Sequence, residues 1–142
     1  MTSRAIHHDI QVKRAISPVS ESGTTALVSQ IIDTSGYDSI EFIIATGSIA
    51  DADATFTVLV EDGDNSALSD NAAVADDFLV GTEAEAAFTF ADDNEVRKIG
   101  YKGSKRYVRL TITPVNNASA AVICAVAVLS HPNNAPVVQD AA

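Results

Sequence analysis

The stretch RYVRLTITP, Arg106–Pro114, decides the fold class. Val108, Leu110 and Ile112 fall on one side of an extended chain, and Tyr107, Arg109 and Thr111 on the other. That period of two is the signature of a half-buried β-strand. The same period recurs along the chain. DSIEFIIAT sets Ile40, Phe42 and Ile44 against Glu41 and Ile43, and ATFTVLVE sets Phe56, Val58 and Val60 against Thr55, Thr57 and Leu59. IQVKRAI places Ile10 and Val12 together, and TALVSQII is rich in β-branched residues. Turn-forming clusters separate these runs: SESGT, TSGYD, TGSIADAD, EDGDNS, FADDNE, YKGSK and VNNAS. Short strands with closely spaced turns predict an all-β fold, an antiparallel β-sandwich or barrel of jelly-roll or Greek-key type.

A chain of 142 residues is most simply one domain, and folding at this size buries roughly two-thirds of the extended surface. Apolar residues make up 46%, enough for a core; aromatics are 6% and Trp is absent, so that core is aliphatic. The expected organisation is an N-terminal arm over 1–9, a single β domain over 10–130 and an extended tail over 131–142 that leaves the domain. Asp64–Phe78 has neither clean alternation nor a helical stripe and reads as a long acidic loop or a short helical turn. SAAVICAVAVLS, Ser119–Ser130, is apolar on both faces and reads as a central strand covered on both sides. The single cysteine, Cys124, lies within it and is expected to be buried and inert; it excludes an intrachain disulfide. No secretory signal is visible, and no apolar run approaches the roughly 18 residues that span a bilayer, so synthesis in a cytoplasm is expected.

Catalytic and metal motifs are missing. There is no G-x-S-x-G, no phosphate-binding G-x-x-x-x-G-K-[ST] and no G-x-G-x-x-G. EDGDN begins like a calcium loop, but counting from Asp62 puts Ala67 where the EF-hand needs Gly and Ala73 where it needs Glu. His7, His8 and His131 lack the spacing of a zinc site. No enzyme and no cofactor is expected.

Charge is the second strong signal. The net charge is −10, which opposes binding to nucleic acid or an anionic membrane. All nine basic residues lie in two short segments: Arg4, Lys13 and Arg14, then Arg97, Lys98, Lys102, Lys105, Arg106 and Arg109. Between Ala15 and Val96 there is none, against 17 acids (the 19 of the chain less Asp9 and Asp140). Alternation puts Lys105, Tyr107, Arg109 and Thr111 on one exposed strand face. Arg and Tyr are enriched at protein interfaces, so these cations and Tyr107 are the candidate partner surface. The same cations are also placed to pair with acids of this chain or of a copy of it.

Four tracts carry a family resemblance: GYDSIEFIIATG (36–47), TVLVEDGDN (57–65), IGYKGSKRYVRLTITP (99–114) and AVAVLSHPNNAPV (125–137). Together they span most of the chain from Tyr37 to Val137. They resemble a group of small tailed-bacteriophage head proteins encoded beside the major capsid gene. The resemblance implies a decoration or cement protein that binds the outer capsid surface and stabilises the major capsid protein shell. It also implies a homo-oligomer, a trimer at local three-fold positions, resident on the virion. A head-completion or head–tail connector is the neighbouring alternative. A calcium- or carbohydrate-binding β-sandwich is the alternative from another class; the lack of Trp counts against a sugar platform.

Overall fold

A computed structural model describes residues 4–140. The first three residues of the expected N-terminal arm and the last two of the tail lie outside the described residues. The chain forms β1 (Ile10–Glu21), β2 (Leu27–Val28), β3 (Ile32–Asp33), β4 (Tyr37–Ile49), β5 (Thr55–Gly63), β6 (Ala72–Ala73), β7 (Leu79–Val80), a one-turn helix α1 (Glu83–Ala86), β8 (Phe88–Thr89), β9 (Val96–Tyr101), β10 (Tyr107–Val115) and β11 (Ala121–Pro132).

Two antiparallel sheets face each other. One has the order β1-β11-β4-β9-β7. The other has the order β2-β10-β5-β6, with β3 also on β10 and β8 also on β5. The long strands divide between the sheets, β1, β4, β9 and β11 in the first and β5 and β10 in the second, and from β4 onward they alternate along the chain. The last strand, β11, slots between β1 and β4. This is the strand order of a jelly roll and not of a closed barrel.

Period two builds the core as expected. Val108, Leu110 and Ile112 of β10 are fully buried, with Phe42 and Ile44 of β4 and Val60 of β5. The inward residues of β11 are Ala121, Ile123, Ala125, Ala127 and Leu129, none more than 1% exposed. Phe56 and Phe88 stack at 4.7 Å between centroids beneath the short α1. That helix starts on a reciprocal cap: Thr82 Oγ1 accepts from the Glu85 N–H (3.0 Å), and Glu85 Oε2 accepts from the Thr82 N–H (3.2 Å).

The acidic stretch Asp64–Phe78 is a pinned loop. Leu68, in the left-handed region at φ 51°, and Val74 are buried. The Asp70 carboxylate accepts the N–H groups of Asp64 (2.8 Å) and Asn65 (3.2 Å). The Asp70 carboxyl stands in the space that a side chain on Gly63 would occupy, so a larger residue there would have to displace that carboxyl.

The C-terminal segment is extended but does not leave the domain through Asp140. It doubles back along the outer edge of β1. The Val137 N–H donates to the His8 carbonyl (2.8 Å), and Val137 is buried. Gln139 accepts from the Val12 N–H (3.2 Å) and donates to the Val12 carbonyl (2.8 Å), so one side-chain amide stands in for a neighbouring strand. Gln11 reciprocates. Its buried amide, oriented to satisfy both groups, donates to the Val138 carbonyl and accepts from the Asp140 N–H, at 3.0 Å each.

Candidate interaction surface

The basic residues of Arg97–Arg109 do not form one surface. Arg97 and Lys98 are on β9, Lys102, Lys105 and Arg106 in the loop that follows, and Tyr107 and Arg109 on β10 in the opposite sheet. Lys105 therefore precedes the strand and does not share its outer face; the turn YKGSK is longer than alternation alone suggests. Tyr107, Arg109 and Thr111 do share that face.

Four of these cations are engaged within the chain. Arg109 lies opposite Glu61 in the β10–β5 register, and its Nη2 is 3.2 Å from Glu61 Oε1. Arg106 makes a two-pronged contact with Asp33, Nε to Oδ1 and Nη2 to Oδ2, both 3.0 Å, while its guanidinium lies 5.2 Å from the Tyr107 ring centre. The Arg106 bonds hold the Asp33 carboxyl below its ordinary range. Lys105 Nζ sits 2.6 Å from Asp64, which raises its affinity for the proton. Arg97 bridges Asp92 (2.8 Å) and Glu95 (3.1 Å). Exposed pairs of this kind each add little to stability, typically about 0–1 kcal/mol. A polar cleft of about 370 Å³ opens between Thr34–Asp38 and Gly103–Arg106, but both of its cations are already paired.

The Lys105 loop is anchored from below by Tyr101. Its hydroxyl donates to Asp62 Oδ2 (2.7 Å) and accepts from the Lys105 N–H (3.1 Å). Burial, and then the Asp62 carboxylate, push the phenol well above its ordinary range. Gly103 lies against the same ring: a Cβ there would come 2.5 Å from the hydroxyl. The carboxylates of EDGDN thus serve Arg109, Tyr101 and Lys105. Among the described residues no three acids, histidines or cysteines converge on a metal position.

The remaining cations sit elsewhere. Arg4 and Lys102 are exposed. Lys13 is close enough to Asp33 to act on its charge. Arg14, on β1, pairs in register with Val126; Val126 pairs with Ile43, and Ile43 with Lys98. These four side chains form a row across the outer face of the five-stranded sheet. Here the reading of β11 as covered on both sides is corrected. The strand is central, but a two-layer sandwich has no third layer to cover it. Cys124, Val126 and Val128 are half-buried and Val122 is 39% exposed. Cys124 is therefore accessible in part. The apolar run signalled this face in the sequence; only the assumption of a covering layer hid it.

No protein-family model matches the chain, and neither does any curated protein. Solved structures do. The crystal structure of PBSX exported protein XepA matches with TM-score 0.57 and 12% identity, covering all of this chain and 44% of that one. The present chain thus spans less than half of the XepA chain. A chain in the capsid of Ralstonia phage GP4 matches with TM-score 0.51 and 10% identity, covering 94% of this chain and 92% of that one. At such identities the likeness is one of fold.

Proposed function

We propose that this chain is a structural protein of a tailed-phage virion, a decoration protein that binds the outer surface of the head and stabilises its shell. The observation that carries this reading is the end-to-end likeness to a chain of similar length in the GP4 capsid. The sequence tracts around Gly36–Gly47 and Ile99–Val137, which resemble small phage head proteins, support it independently. Its direct partner is the major capsid protein, and it acts as a homo-oligomer, a trimer, without cofactor, nucleic acid or membrane. It has no catalytic role. A net charge of −10 suits a protein that accumulates in the host cytoplasm and must not self-associate before its site exists. Many identical contacts over a shell then add up through multivalency.

The test is stoichiometry on purified virions by quantitative mass spectrometry. A copy number that scales with the major capsid protein supports the reading. A copy number matching one ring at the tail vertex makes it a connector, and absence from the particle overturns the virion role.

A further inference from the structure

We propose that the outer face of the five-stranded sheet is the docking surface for an acid-rimmed apolar patch on the capsid shell subunit, an assignment that rests on the decoration reading above. An antiparallel sheet open to water on one side normally alternates apolar-in with polar-out. The second sheet of this molecule comes closer to that rule: its outer face presents Thr55, Thr57, Thr111 and Thr113 and the Glu61–Arg109 pair, and its exposed apolar residues, Val28, Leu59 and Val115, each lie opposite a threonine. The first sheet does not. Val126 pairs with Ile43, Cys124 with Ala45 and Val128 with Val12, all on the outside. Val96, at 67% exposure, extends the patch beyond Ala45. A contiguous apolar face of this kind, set against a more polar one in the same molecule, marks an interaction site.

Charge selects the occupant. Arg14 and Lys98 close the two ends of the Val126–Ile43 row, three strand spacings apart, about 14 Å. Neither is in an ion pair among the described residues, whereas Arg97, Lys105, Arg106 and Arg109 all are. Arg14 is held by neutral groups, Ser17 Oγ at 2.9 Å and the side-chain oxygen of Gln30. Among the described residues of these paired strands the acid on this face is Glu41, in the next row beside Gly100; it is partly buried and near enough to Lys98 for the two charges to act on each other without an ion pair. The complementary surface has an apolar centre flanked by carboxylates. A second copy does not supply it. Stacked face to face on the Val126–Ile43 row with strands aligned, it sets Arg14 against Lys98 or each cation against itself. Like charges so placed are costly. The net charge of −10 opposes a phosphate surface in the same position.

Cys124, the only cysteine, sits within the patch and reports on it. The experiment adds wild-type protein to heads lacking it, reads the bound fraction, and measures maleimide labelling of Cys124 free and bound. Two variants, Val126→Glu and Arg14→Glu with Lys98→Glu, are compared with Leu59→Glu on the opposite face, each checked for a native melt. The expected result is protection of Cys124 on heads, about tenfold or greater loss of affinity in the first two, and full binding by Leu59→Glu. Heads that bind wild type with Cys124 still reactive, or that bind the charge-reversed double variant equally well, overturn the assignment of the face and leave the decoration reading standing. Heads that bind no wild-type protein overturn both. Protection of Cys124 in the free protein, with a doubled mass by light scattering that Val126→Glu abolishes, makes the face a self-interface instead.

Discussion

The hydroxyl of Tyr101 in one sheet donates a 2.7 Å hydrogen bond to Asp62 in the other. This bond crosses the sandwich, and the same oxygen receives the Lys105 N–H, so a single atom ties both sheets to the β9–β10 loop. Tyr101→Phe leaves the Asp62 carboxylate and the Lys105 N–H without this partner. The expected cost is about 1–3 kcal/mol in denaturant unfolding, with no change of fold. In the intact protein, absorbance titration compared with Tyr101→Phe should show that Tyr101 stays un-ionised through the ordinary phenol range; its ionisation there would contradict the bond.

Leu110 is fully buried in β10, and its N–H donates to Ser29 Oγ at 2.9 Å. Leu110→Ala removes core volume without touching that backbone bond. A loss of roughly 2–5 kcal/mol is expected. A loss below about 1 kcal/mol would mean that the cavity collapses freely.

Removing Arg106 and Arg109 together breaks the contacts with Asp33 and Glu61 but leaves the outer face of the five-stranded sheet intact. The Arg106→Ala, Arg109→Ala protein should therefore lose some stability and keep its binding to heads. Loss of binding with an unchanged melt would place the partner surface on β10.

Acid should destabilise the fold in a defined direction. Four carboxyls are held below their ordinary values: Asp33 by Arg106, Asp51 by the N–H of Asp53, Asp70 by the N–H of Asp64, and Asp92 by the N–H of Thr89. Each binds its proton more weakly folded than unfolded. Their stabilisation is complete above the unfolded carboxylate value, about 4, and is lost as pH falls through the folded values. Glu41 has the opposite sign: burial raises it, so its protonation favours the fold and offsets part of the loss. Thermal melts at successively lower pH should show Tm falling below about pH 4; a flat profile would contradict these bonds.

Much of this was legible in the sequence because a strand's period is local. Val108, Leu110 and Ile112 needed only their own spacing to be placed in the core. The jelly-roll order follows from long-range pairing, such as β11 between β1 and β4, which no local pattern encodes. The candidate surface was legible in part. Arg14 and Lys98 were named among the cations, but their alignment with Val126 and Ile43 exists only across four paired strands. The pairing of Arg106 with Asp33 spans 73 residues and was equally out of reach. The apolar outer side of β11 was visible, yet hydrophobicity does not distinguish a covered face from one awaiting a partner.

The reciprocal amides of Gln11 and Gln139 bear on how copies of this protein coexist at high concentration. A long border strand such as β1 offers a row of peptide groups on which another chain can grow. Here the row is interrupted throughout: the tail occupies Val12, Gln30 takes the Ala15 carbonyl, Pro18 offers no N–H, and two bulges break the register. The second sheet is bordered only by two-residue strands. Strand addition at β1 or at the borders of the second sheet is thereby disfavoured when many of these molecules are crowded together.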